Sequence, residues 1–144
     1  MQVAVAVARL VLGAVLIVAG ALKLGHATDL AAALAGFRLL PPGAVSLLAL
    51  VLPPLEIFLG LYLVAGLFTR IAGVAAAAMF AIYAGAIASA IIRGIPANCG
   101  CFGPHDSATA DWPHVAFDLA LAGIAIFIAL RAPGAFALDR KWTS

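Results

Sequence analysis

Along this chain, long apolar runs alternate with short polar punctuation at a spacing set by membrane thickness rather than by a soluble core. A bilayer-crossing helix needs about 20 mostly apolar residues. Four stretches qualify, from about Val3 to Leu24, Ala44 to Phe68, Ile71 to Ile92 and Pro113 to Leu130. The predicted fold is an all-α integral membrane protein, a four-transmembrane-helix bundle forming one domain over residues 1–144. The segment "DLAAALAGF", with Asp29 near its start and "LLPPG" behind it, predicts a short interfacial helix between the first two spans, lying at the interface or folding back onto the bundle. The link "FTRIAG" is so tight that spans two and three are expected to be antiparallel neighbours. Asp111 and Pro113 form a cap and first turn for the fourth span. No internal repeat is evident.

Composition supports this reading. The chain is 66% hydrophobic and only 10% charged, against about 25% charged for an ordinary soluble domain. The net charge of +2, spread thinly, gives no footprint for nucleic acid. The partner implied by composition is the lipid bilayer. A signal peptide normally carries a basic leading region and a shorter apolar stretch. Here Arg9 is the first charge and the apolar run continues to Leu22, so the first segment reads as a retained span. Four spans put both termini on one side, with Arg9, Arg70, Arg131, Arg140 and Lys141. The other side carries Lys23, Arg38 and Arg93. The positive-inside rule then predicts cytoplasmic termini, in a bacterial inner membrane. The loop of residues 93–112 faces the periplasm or exterior, where a disulfide persists.

That loop holds both cysteines of the chain, Cys99 and Cys101, in "NCGCFG". A disulfide across one glycine is possible if the Cα atoms come within about 7 Å. It would close so small a ring that it adds little stability, and strained disulfides are the labile, oxidising ones. Redox exchange suits the spacing better: one thiolate attacks a partner disulfide and its neighbour resolves the mixed intermediate. Arg93, His105 and His114 are nearby cations or bases. The alternative is a metal set of Cys99, Cys101, His105 and His114, whose spacing matches no strong zinc template.

Charges inside the apolar runs are the other candidates. Glu56 sits twelve residues into the second span, about 18 Å at 1.5 Å per residue. A carboxylate at that depth is a functional candidate by default. Pro53 and Pro54 lack the N–H groups that would bond the carbonyls of Ala49 and Leu50, predicting a kink with free carbonyls above Glu56. Its structural alternative is an ion pair with Arg9 or Lys23. On the first span, Arg9, Gly13, Gly20 and Lys23 share one face, a bundle-facing stripe; Arg9 is expected to snorkel to the interface. His114 and Asp118, four residues apart, share a face where Asp118 could orient His114 as a base. The bland reading of that pair is a charge at a helix start. Tyr62 and Tyr83 could hydrogen-bond a quinone headgroup, though packing is their commoner role.

"RLVLGAVLIVAGALKL", "LPPLEIFLGLYLVAGLFTR", "RGIPANCGCFG" and "DWPHVAFDLALAG" occur in this order over nearly the whole chain. Together they resemble the MauE family of methylamine utilisation membrane proteins, within the wider DoxX-like group. The pattern departs at Asp118, where an amide is expected. The resemblance implies a role in maturing methylamine dehydrogenase, with its disulfide-rich small subunit, alongside a periplasmic thioredoxin-like partner. By architecture alone, four helices with a periplasmic cysteine pair are similar to the quinone-linked disulfide-forming membrane proteins. Those carry a second pair beside the quinone, so here Cys99 and Cys101 would have to serve both steps. The alternatives are a non-catalytic maturation factor or metal-holding anchor, and a transporter centred on Glu56.

Overall fold

The computed structural model describes residues 1–96 and 111–142. Among them the chain forms five α-helices and one short 3-10 turn: α1 (Gln2–Lys23), α2 (Ala27–Gly36), α3 (Pro42–Ala65), α4 (Thr69–Ile92), α5 (Trp112–Arg131), and the turn Leu138–Lys141. α1, α3, α4 and α5 are long and apolar enough to cross a membrane. Helices suit that setting because every interior backbone group is bonded within the segment, and lipid supplies no substitute. The helix ends follow local chemistry. Pro42 opens α3, where a missing N–H costs nothing. The Asp111 side chain accepts from the His114 amide at the start of α5.

The bundle is built as two close pairs, α1 with α3 and α4 with α5, joined more loosely between α3 and α4. The expected tight turn between α3 and α4 is present, but α3 packs chiefly on α1. The cause lies in small residues, which let helix backbones approach where no hydrophobic force drives association. A Cβ at Gly60 would sit 2.6 Å from the Gly13 carbonyl oxygen. Gly60→Leu is therefore expected to push α1 from α3 and cost about 1–3 kcal/mol or more. Gly85→Ala, with open space around it inside α4, should instead leave stability unchanged or raise it by up to about 1 kcal/mol. Reversible unfolding in mixed micelles reads both.

α3 continues as helix through Pro53 and Pro54. α2 lies against α3, as the fold-back placement expects. The main core joins Leu12, Leu16, Leu59, Leu63, Phe80 and Ile128. A second cluster of Phe37, Ala84, Ile87, Ala90 and Val115 closes the end nearer α2. The outer surface keeps Leu47, Leu50, Phe58, Ile71, Ile82 and Leu130 exposed, as a lipid-facing surface requires.

Arg9 corrects an expectation: it does not snorkel. It is 1% exposed, and Nη2 donates to the Ala135 carbonyl at 2.9 Å. The reason is the segment after α5. It folds back over the bundle end, its Ala135 amide bonding the Gln2 carbonyl and its Asp139 amide the Gly66 carbonyl. Asp139 also caps α4, accepting from the Phe68 and Thr69 amides at 2.7 Å each. Partial burial pushes the Asp139 carboxyl up, but the bonds from Thr69 and Phe68 and the Arg9 charge outweigh it, leaving it below the usual carboxylate range. Gly66 ends α3 with φ of 70° and its α-carbon lies against the Arg9 guanidinium, so a side chain fits neither the backbone nor the space.

Candidate functional site

The four spanning helices each send one polar side chain to a common level inside the bundle: Lys23 from α1, Glu56 from α3, Tyr83 from α4 and Asp118 from α5. Lys23, Glu56 and Asp118 are 3%, 1% and 3% exposed. Lys23 stands on the stripe read from the sequence, whose four residues are all buried. Being the last residue of α1, it directs its long side chain back towards the preceding turn, as helical side chains do.

Glu56 is the centre. Lys23 Nζ donates to both its oxygens, at 2.8 and 2.9 Å. The Tyr83 hydroxyl donates to Oε1 at 2.6 Å, and Lys23 Nζ lies 5.6 Å from the centre of the Tyr83 ring. Of the two partners expected for Glu56, Lys23 takes the position and Arg9 sits at the other end of the bundle. Such a pair recovers its desolvation cost only when geometry is good and further hydrogen bonds complete it. Here a two-oxygen grip, a phenol and a ring face do so.

Asp118 is six residues into α5, about 9 Å from its start. It lines a small void with Glu56 and Tyr83, of about 10 Å³, the scale of one water molecule. Its Oδ2 has no hydrogen-bond partner among the described residues. A buried, unpaired carboxylate oxygen beside an ion pair is costly unless a proton or water joins it, so this is where a proton can be held.

His114 does not pair with Asp118. Its Nδ1 lies against Asp111 Oδ1, so the histidine is oriented by the residue that caps α5. The bonds from its ring and amide hold the Asp111 carboxyl below the usual range. Tyr62 is 41% exposed and packs edge-on against Phe68, away from the cluster. Cys99, Cys101 and His105 lie outside the described residues, and so does the metal set built from them with His114.

Beside the cluster is a cavity of about 220 Å³ between α2, α3 and α4. Leu34 and Phe37 roof it, Leu52 and Ile87 wall it, and Lys23 and Tyr83 form its polar floor. At the rim, Leu40 and Ile82 are 47% and 68% exposed, so it opens towards the lipid side. Arg93, at the end of α4, donates through Nη2 to the Phe37 carbonyl and ties the roof to the bundle.

Tyr83 was the residue whose weight the sequence concealed. A usable signal exists in depth matching. Counting outward from Leu67 in the turn, Glu56 is 11 residues away and Tyr83 is 16, a difference of about 7 Å that two side chains bridge.

The family model described as methylamine utilisation protein MauE matches residues 1–131. The methylamine utilization protein MauE of Paracoccus denitrificans is 37% identical over 124 residues, covering 85% of this chain and 67% of that protein. No solved structure matches the chain.

Proposed function

This chain belongs to the MauE family, and from that membership we propose that it is a membrane thiol–disulfide redox protein acting through Cys99 and Cys101. Its setting is a multi-pass membrane protein of methylamine utilisation. The proposed partner is a periplasmic thioredoxin-like protein, and the proposed service is disulfide formation during maturation of methylamine dehydrogenase or another exported protein. A non-catalytic maturation factor is the reading it competes with.

The observation that carries the proposal is the buried Lys23–Glu56–Tyr83 network with Asp118 beside it. Glu56 lies near the middle of α3, and Asp118, six residues into α5, lies in the half of the bundle from which the connection holding both cysteines departs, between Pro96 and Asp111. Thiol oxidation releases protons as well as electrons, and a carboxylate with an unpaired oxygen in this half supplies a place to hold one. Orientation follows the same logic. Arg9 and Lys23 are inside the bundle, leaving Arg70, Arg131, Arg140 and Lys141 at the end with the termini against Arg38 and Arg93 at the other. The surplus favours cytoplasmic termini and a periplasmic cysteine loop in the inner membrane.

A redox titration of the purified protein, read by thiol alkylation and mass, tests it. Cys99 and Cys101 should interconvert as a pair with a midpoint above about −230 mV, in the range of exchange catalysts. A midpoint below about −300 mV marks an inert structural bond, and the absence of a disulfide at any potential would equally refute the proposal.

A further inference from the structure

We propose that the cavity between α2, α3 and α4 is a binding site for a neutral lipophilic carbonyl compound of the quinone class, its carbonyl held at the Lys23–Tyr83 floor. The occupant follows from what the floor offers. Lys23 has three N–H groups and gives two to Glu56, so one donor remains. The Tyr83 hydroxyl spends its proton on Glu56 Oε1 and keeps oxygen lone pairs. A carbonyl oxygen can take the Lys23 proton, and a hydroxyl on the same ring can bond the Tyr83 oxygen.

Charge excludes the commoner lipid chemistry. The Lys23 charge is already met by Glu56 at 2.8 Å, and the next titratable group is the carboxyl of Asp118. At the floor no surplus positive charge remains to draw in a phosphate or fatty carboxylate. The cations beside the roof are Arg38, next to Phe37, and Arg93, whose guanidinium is bonded to the Phe37 carbonyl and to Ser89. Size agrees: an apolar cavity of about 150 Å³ accepts benzene, and this one, at about 220 Å³, takes a substituted ring. The exposed rim at Leu40 and Ile82 gives a path from the bilayer, with room outside for an apolar tail.

The redox role of this site rests on the thiol–disulfide reading; binding does not. In that role the Cys99 and Cys101 thiols lose two electrons and two protons to become a disulfide. The quinone gains both and leaves as quinol, so atoms and electrons balance without another reactant.

Equilibrium dialysis of the purified full-length Cys99→Ser/Cys101→Ser protein against decylubiquinone tests the site apart from the thiols. Saturable one-to-one binding is expected. Leu34→Trp, which fills the cavity from its roof, and Lys23→Met/Glu56→Leu, which removes the one floor donor left for a carbonyl together with its counter-charge, should each weaken it tenfold or more. Thermal unfolding of both variants checks that they are folded. Non-saturating partition, undiminished binding in both folded variants, or displacement by palmitate as effective as by a second quinone would overturn the site. Retained binding here, with wild-type thiols that never respond to the quinone, upholds the site and removes the redox reading alone.

Discussion

Glu56→Leu, with Lys23 left in place, will destabilise the protein by about 3–5 kcal/mol, because it leaves an ammonium buried in an apolar bundle. Lys23 is 3% exposed and its polar contacts are the two Glu56 oxygens and the Tyr83 ring. Removing the carboxylate takes the charge in direct contact with Lys23, leaving only the more distant Asp118 carboxyl, and strands the Tyr83 hydroxyl as well. Lys23→Met will cost a similar amount by exposing the opposite charge. The double variant Lys23→Met/Glu56→Leu removes both charges together and should recover most of the loss, giving a coupling of more than about 2 kcal/mol in a double-mutant cycle. Unfolding in mixed micelles measures it. The double variant also separates two uses of the pair. If it is stable but inactive in client maturation, the pair belongs to the chemistry. Full activity would make it a helix-packing device.

The second large effect concerns the cysteines. Replacing both by serine should abolish maturation of the client, since a hydroxyl can neither attack a disulfide nor accept a thiol. Single replacements should differ from the double in kind. With one thiol left, attack on a partner disulfide still occurs but resolution does not, so a mixed disulfide accumulates. A structural disulfide behaves otherwise: each single variant would match the double and no adduct would form. The chain arithmetic favours exchange, because a bond between Cys99 and Cys101 encloses too short a loop to constrain the unfolded chain.

Much of this was legible in the sequence because bilayer thickness is a strong ruler. Every predicted span end falls within three residues of the observed helix end. The α1 stripe was legible too, since 3.6-residue periodicity places Arg9, Gly13, Gly20 and Lys23 on one side whatever they meet. What they meet was not. The Lys23–Glu56 bond depends on which helices pair, and the glycine contacts that choose α1 with α3 involve both helices at once. Arg9 was misjudged because its cover is the aperiodic segment after Arg131, whose carbonyls carry no sequence signal. His114 turned to Asp111 rather than Asp118, because a capping carboxylate already fixed at the helix start is the nearer partner. The Tyr83 bond needs a depth register between α3 and α4 that hydropathy does not encode. MauE membership was legible from motifs spread over the chain, and the match over residues 1–131 bears it out.

The central claim, that Cys99 and Cys101 exchange disulfides with a partner, is met most directly by acid trapping in intact cells. Membranes from cells carrying the Cys101→Ser or Cys99→Ser variant are alkylated and separated without reductant. The account predicts that one of the two variants runs as a reductant-sensitive adduct with a thioredoxin-like protein, absent from the double-serine strain. Cysteines that stay in one redox state in wild type whatever the partner's state, with no adduct in either single variant and full client maturation in the double-serine strain, would contradict it.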